Sequence, residues 1–347
     1  MAKKLNKKVV IILLVLVGVG ALCVAGAGVY VLRGRNPEYC LKKAEDALKE
    51  NDYKTAERFF GRACAVAKTN RDKIANYFRY AEFQLIQNEH HEADWGKALG
   101  CWNQILRFDP KNETATRKLF DYFYEVADLG QPQAWKQVQD YARDLLKILE
   151  EAQKPLDSKV LLAHGRASLE MARLGAVSNR LEVVQQAASD FQRYIELNPN
   201  DIKGYEYLAE SILVRSSIET SQGNLQARET ARQEAEKILQ QAVEQCSDQP
   251  AAWAAKINFE LETLTDPNRL GEIRQQVENL IQTLPPSDVL YTALSSTYER
   301  AGNLSRSEEL MRASAAMRQA VALAPQNIRH LLHLATLLHR LGAVQKK

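Results

Sequence analysis

Two hydrophobic regimes divide the chain. From Val9 to Leu32, 24 successive residues carry no charge. After Pro37, apolar residues recur at i, i+3, i+4 and i+7 with polar residues between them, the period of amphipathic α-helices. At about 1.5 Å rise per residue the uncharged run predicts a helix of roughly 36 Å, long enough to cross a bilayer core of about 30 Å with some tilt. Lys3, Lys4, Lys7 and Lys8 precede it and only Arg33 and Arg35 follow closely, which predicts a cytoplasmic N-terminus and an extracytoplasmic remainder. Ala25-Gly26-Ala27 resembles the cleavage site of a signal peptide, but signal peptides have apolar cores of about 7–15 residues. Here Val29, Tyr30, Val31 and Leu32 carry the run past that site, so an uncleaved anchor is expected. The predicted organisation is a basic segment at 1–8, a transmembrane helix at 9–32, a juxtamembrane linker at 33–37, a helical array at 38–342 and a tail at 343–347.

The array repeats itself. Ala98, Trp102, Ile105 and Pro110 set a small residue, a large one at +4, a packing residue at +7 and proline at +12, and the spacing recurs at Ala187, Phe191, Tyr194, Pro199, at Ile273, Val277, Leu280, Pro285, and at Ala313, Met317, Ala320, Pro325. The first three positions share one helix face and the proline ends the helix. A second spacing matches Tyr291, Leu294, Ser295, Tyr298 and Gly302 to Leu331, Leu334, Ala335, Leu338 and Gly342, with Tyr205, Leu208, Ala209 and Ile212 as a shorter copy. Ser295, Ala335, Ala209, Ala81 and Gly165 are the small residues at which a neighbouring helix can cross closely.

These residues resemble the tetratricopeptide repeat (TPR) family, whose 34-residue helix-turn-helix signature combines an aromatic or Leu, a Leu-Gly or Leu-Ala pair, a Tyr, then Ala, Phe, Ala and a closing Pro. The resemblance covers about residues 38–347 and implies an all-α fold: an N-terminal transmembrane helix followed by a TPR-type α-solenoid of antiparallel helix pairs. Seven hairpins and a final unpaired helix are expected, at 38–69, 72–110, 113–154, 157–199, 201–249, 250–285, 287–325 and 327–342, with turns at Asn51-Asp52-Tyr53 and Gly302-Asn303. In the third hairpin Val138, Ala142 and Leu145 fit the spacing, but Trp135 and Leu149 shift its possible register. Polar residues from Ser216 to Gln233 predict that the fifth pair runs several turns past its neighbours and leaves the stack. In the final helix Leu332 and Leu337 add apolar area beyond the packed face, which suits a partner-covered end or a longer chain.

Charge and chemistry narrow the function. The formal charge of +3 comes from the six Lys/Arg among residues 1–36; the remainder holds 40 basic against 43 acidic residues, interspersed. That pattern disfavours nucleic acid, which needs a basic face. No nucleophile elbow, phosphate loop or paired Cys-x-x-Cys occurs, so no enzyme activity, cofactor or metal is expected. Asn88 to Asp94 reads as a solvated loop whose Asp94 caps the helix beginning at Trp95. His164, beside the crossing Gly165, reads as a hydrogen-bonded core histidine. His330, His333 and His339 read as surface or packing residues of the last helix. Cys101 and Cys246 read as packing residues, whereas Cys40 and Cys64 stand on opposite helices of the first hairpin at heights that admit a disulfide in an oxidising compartment.

The resemblance implies a binding role, with inward residues of the first helices meeting a peptide or partner helix. Those positions are Phe78, Glu82, Phe120, Tyr124, Lys159, Arg166, Glu170, Lys203, Glu206, Glu210, Asn258 and Arg300. Glu206 and Glu210 interrupt the Lys/Arg/Asn set that the family's carboxylate-clamp receptors need. Three functions remain open at this stage. The first is a membrane-tethered scaffold of a bacterial envelope that recruits other proteins. The second is a cytosol-facing receptor of the organelle-import type, and the third a regulatory subunit or N-terminal part of a longer chain whose catalytic module lies elsewhere. The partner's identity and the oligomeric state are not encoded in any motif.

Overall fold

Asn36 opens the described chain by accepting the backbone N–H groups of Glu38 and Tyr39 at 2.9 and 3.3 Å, and Pro37 starts the first helix. The computed structural model describes residues 36–264, 266, 268–300 and 305–345. The expected anchor Val9–Leu32 and the Gly302-Asn303 turn lie outside them. No described helix is long and apolar enough to cross a membrane.

Helices succeed one another throughout: α1 (Pro37–Lys49), α2 (Tyr53–Val66), α3 (Asn70–Gln84), α4 (Trp95–Phe108), α5 (Glu113–Asp128), α6 (Trp135–Glu151), α7 (Ser158–Arg173) and α8 (Arg180–Leu197). They continue as α9 (Ile202–Ser221), α10 (Ala227–Gln245), α11 (Pro250–Glu262), α12 (Arg269–Thr283), α13 (Asp288–Glu299), α14 (Arg306–Leu323) and α15 (Ile328–Gln345). Among the described residues the only extended pairing is an isolated bridge between Asn88 and His91. The chain divides into two compact units, Met1–Phe123 and Tyr124–Lys347.

Local chemistry sets the helix ends. Asp52, Thr69, Asp94, Asp157, Asp201 and Ser305 each cap a helix through a side-chain oxygen that accepts an orphan N–H of the first turn. At the other end α1 and α7 leave through left-handed residues, Asn51 at φ 58° and Gly175 at φ 67°. The next residue's N–H then reaches back to the last turn, Asp52 to Ala47 at 2.9 Å and Ala176 to Met171 at 3.0 Å, which reverses the chain into the following helix.

Packing follows the repeated spacing. Ala98, Trp102, Ile105, Ala187, Phe191, Tyr194, Ile273, Val277, Ala313, Met317 and Ala320 are all buried, as are Tyr205, Leu208, Ala209 and Ile212 on the partner helix face. In α6 the stripe Trp135, Val138, Ala142, Leu145 and Leu149 is buried as a whole, so Trp135 and Leu149 extend the register instead of shifting it. At the crossing of α7 and α8 a Cβ on Gly165 would lie 2.7 Å from Phe191 Cε1, which is why that position is glycine. Unit 1 packs Ala44, Ala47, Ala56, Phe60 and Phe83 together, with Leu41, Leu48, Tyr53 and Tyr80 around them.

Two expectations about the array change. The α9/α10 pair is the long one, with 20 and 19 residues against 13 and 15 in the next pair, yet it stays in the stack. Ser216, Ile218, Ala227 and Ala231 are buried, and Ile218 packs with Ala172 and Val184. The tip at 221–226 is exposed throughout. In α15 the packed face is rotated from the expected one. Leu334, Leu337, Leu341 and Val344 meet Leu310, Ala313, Met317 and Ala320, while Leu331, Ala335 and Leu338 face solvent. Hydrogen bonds to α13 fix that rotation: His330 Nε2 to Asp288 at 2.7 Å, His333 Nε2 to Glu299 at 2.6 Å, and Arg340 to Glu299 at 2.8 Å.

Candidate functional site

The first helices of unit 2 bring seven of the predicted binding residues, Tyr124, Lys159, Arg166, Glu170, Lys203, Glu206 and Glu210, into one neighbourhood. Tyr124 is the last-turn aromatic of α5 and stands edge-on to Trp135, ring centroids 6.3 Å apart. Lys159, in the first turn of α7, holds its ammonium 5.9 Å from the Tyr124 ring centroid. Two turns on, the Arg166 guanidinium lies 4.7 Å from the centroid of Trp135 and 5.8 Å from that of Tyr207, and donates to Asp128 Oδ1 at 2.6 Å. Continuing along α7, Arg173 lies 3.5 Å from Glu170 and also pairs with Glu210 of α9.

This arrangement changes what each residue can do. Arg166 is tied by an ion pair and held over two aromatic rings, so its guanidinium is already occupied. Partial desolvation pulls its pKa down, but the bonds to Asp128 and the neighbouring tyrosines outweigh that and raise it. Arg173 neutralises both Glu170 and Glu210. Glu206 stands apart: its side chain reaches solvent, yet desolvation by the surrounding protein raises its carboxyl pKa, Glu210 and Asp201 raise it further, and Lys203 only partly offsets them. It is an accessible carboxylate short of positive charge.

The other predicted residues fall elsewhere. Phe120 is fully buried and is a core residue, not a groove anchor; the helical period gave it the same face as Tyr124, but mid-helix α5 packs that face away from solvent. Phe78 is half-buried and Glu82 exposed on α3 of unit 1. Asn258 is exposed on α11, and Arg300, just past α13, is tied back by its guanidinium to the Leu261 carbonyl. Trp135, Tyr207, Asp128 and Arg173 join the neighbourhood without having been foreseen. Tyr207 was legible, since it follows Lys203 by four residues and shares its face.

The remaining polar clusters are structural. His164, 8 % exposed, donates from Nδ1 to Asp190 Oδ2 at 2.7 Å, and Gln186 donates to the other Asp190 oxygen at 3.0 Å. Asp94 caps α4 by accepting the Lys97 N–H at 2.9 Å, and His91 lies between the rings of Tyr53 and Phe83 with Nδ1 2.8 Å from the Ile86 carbonyl. No group of three His, Cys, Asp or Glu side chains placed to hold a metal occurs among the described residues. Cys40 and Cys64 are buried thiols with no bridge between them. Cys64 lies near Cys101 instead, and burial pushes both thiols up to about 12.

No protein-family model matches the chain, and no curated protein matches it. Among solved structures it is similar to a tetratricopeptide repeat protein from Parabacteroides merdae, at 15% identity and TM-score 0.45 over 87% of this chain and 98% of that one. A thermophilic TPR protein in Thermus thermophilus gives 15% identity and TM-score 0.44 over 64% and 98%. The C-terminal part of a TPR repeat-containing protein from Cytophaga hutchinsonii gives 15% and 0.38 over 86% and 87%. The described part of the chain is all-α and made of successive helix pairs, with small buried residues at Ala209, Ser295 and Ala313.

Proposed function

We propose that the chain is a non-enzymatic interaction scaffold held to a membrane by Val9–Leu32, and that the face shared by α7 and α9 receives a protein segment bearing positive charge. The observation that carries this reading is Glu206, an accessible carboxylate crowded by Glu210 and Asp201 with its pKa raised. A Lys or Arg of a partner seated there restores the balance that Lys203 leaves incomplete. Tyr207 and Tyr124 border it as half-buried aromatic surface of the kind that anchors interfaces. The Lys excess before Val9 supports a scaffold facing away from the cytoplasm, in keeping with a bacterial envelope.

A photo-reactive residue in place of Lys203, in the full chain in its membrane, tests the site. It should crosslink a partner whose contacting segment is basic, and Glu206→Gln should weaken capture about tenfold or more. A cationic segment prefers the ionised carboxylate, so affinity should rise as pH rises through the elevated Glu206 pKa. A flat pH profile together with unchanged capture by Glu206→Gln refutes the assignment. Topology is read separately: protease added to intact cells should digest the repeats, and protection until the cytosol is opened reverses the orientation in favour of a cytosol-facing receptor.

A further inference from the structure

Open clefts flank helix α11 on two sides. One, of about 600 Å³, lies against α10 and is lined by Gln233, Glu236, Lys237, Gln240 and Gln241 together with Lys256 of α11. The other, of about 340 Å³, lies against α12 and is lined by Gln275, Gln276, Asn279 and Leu280 together with Trp253 of α11. At one end Arg232 of α10 and Arg269 of α12 line the same small cavity, so the two walls start level. Gln240 and Gln276 then stand level as well, about 11 Å farther along. Trp253, Lys256, Glu260 and Thr263 share one side of α11 by the helical period, opposite the exposed Asn258 and Glu262. The clefts therefore make a furrow on the second-helix side of the array, walled by α10 and α12 and floored by α11. Its floor is already neutral: Lys256 pairs with Glu260 at 3.2 Å, with side chains only 17 and 11 % exposed. Trp253 is fixed there by its indole N–H, which donates to the Ser247 carbonyl at 2.9 Å.

The chemistry of the walls selects the occupant. Each wall carries three carboxamides, and a carboxamide offers one acceptor and a donor group, the same pair that a peptide unit offers. Gln233 and Gln240 each spend an amide proton on their own helix, on Glu229 at 3.1 Å and Glu244 at 3.0 Å, and keep their carbonyl oxygens. Among the described residues no side-chain hydrogen bond engages Gln241, Gln275, Gln276 or Asn279. An amphipathic helix would need an apolar stripe, and Trp253 and Leu280 are the only apolar side chains lining the two clefts among the described residues. A polyanion would need unopposed cations, whereas Lys237 and Lys256 stand among Glu236, Glu244, Glu260 and Glu272. An extended chain needs neither. Gln233 and Gln240 are two helical turns apart, about 10.5 Å, which is the rise of about three extended residues.

We propose that the furrow between α10 and α12 is a second binding surface, which takes an extended, uncharged polypeptide segment along α11 and reads its main-chain N–H and C=O groups through the two rows of carboxamides. Side chains of the segment then matter little, apart from the one that passes the Trp253 ring. This surface is separate from the α7/α9 face and does not depend on it.

The probe is a capped peptide of about eight residues, alternating Val and Ser and carrying a terminal dye, titrated into the full chain. It should bind saturably, and a peptide alternating Ala and Thr should bind within about threefold of it. Methylating every second main-chain nitrogen removes donors while keeping the side chains, and should weaken binding about tenfold or more. Gln240→Ala combined with Gln276→Ala should weaken the unmethylated probe by about tenfold at the wild-type melting temperature, whereas Glu206→Gln should leave it unchanged. If that double variant melts early, Gln241→Ala with Asn279→Ala, both exposed, gives the same reading. Absence of saturable binding, equal binding of the methylated probe, a strong preference between the two unmethylated peptides, or undiminished capture by a folded double variant overturns the proposal. So does loss of the probe in Glu206→Gln, which would seat the peptide on the α7/α9 face.

Discussion

Gly165→Ala tests the packing at the centre of the second unit, because two effects of opposite sign meet there. Replacing a helical glycine by alanine stabilises a helix by about 0.5–1 kcal/mol through the unfolded chain's lost freedom. The new Cβ, however, would sit 2.7, 3.0 and 3.1 Å from three atoms of the Phe191 ring, against the 3.4 Å at which ordinary contact begins. Phe191 is fully buried among Ala187, Leu208 and Leu239 and is stacked on Tyr207 with centroids 5.4 Å apart, so the ring has no free space to retreat into. Overpacking of this kind costs about 1–3 kcal/mol. The clash wins, and Gly165→Ala should lose about 1 kcal/mol net. Gly100, exposed on α4 with nothing within 4 Å of its added Cβ, supplies the control: Gly100→Ala should gain about 0.5–1 kcal/mol. Urea melts of the full chain followed by circular dichroism give the two signs. Repeat arrays unfold by neighbouring pairs, so hydrogen exchange in α7 and α8 locates the change. A Gly165→Ala protein as stable as wild type, with unchanged exchange in those helices, would refute the close crossing.

Two further outcomes follow from the buried groups. In unreduced native protein the thiols of Cys40, Cys64, Cys101 and Cys246 should resist alkylation at pH 8, since burial raises the pKa of each and takes Cys64 and Cys101 to about 12; in denaturant all four should label without reductant, and a failure of Cys40 and Cys64 to do so would restore the bridge. Asp190→Ala removes the acceptor of both His164 and Gln186 inside the core and should cost about 1–3 kcal/mol, with Asp190→Asn recovering most of it; a neutral Asp190→Ala in a denaturant melt would contradict the pairing.

Sequence by itself determined the repeat. The spacing of Ala98, Trp102 and Ile105 and its copies marks buried faces because residues at i, i+4 and i+7 share one side of any α-helix, whatever lies opposite. Asp94 as a cap was legible for a local reason, being fixed by the Lys97 N–H three residues on, whereas His164 was legible as a core histidine only from its place beside Gly165, its partner Asp190 lying 26 residues away. Rotation and long-range pairing were decided only by the tertiary structure. A first helix packs on two sides, so the period alone did not separate the buried Phe120 from the half-buried Tyr124 one turn later. Arg166 looked like a free anchor until Asp128, 38 residues earlier, occupied its guanidinium. Likewise Leu331 and Leu338 read as packed residues, and only Asp288 and Glu299, more than 30 positions away, turn α15 so that they face water. An ion pair between distant helices leaves no period in the sequence, yet its hydrogen bonds fix which of two equally apolar faces a helix buries.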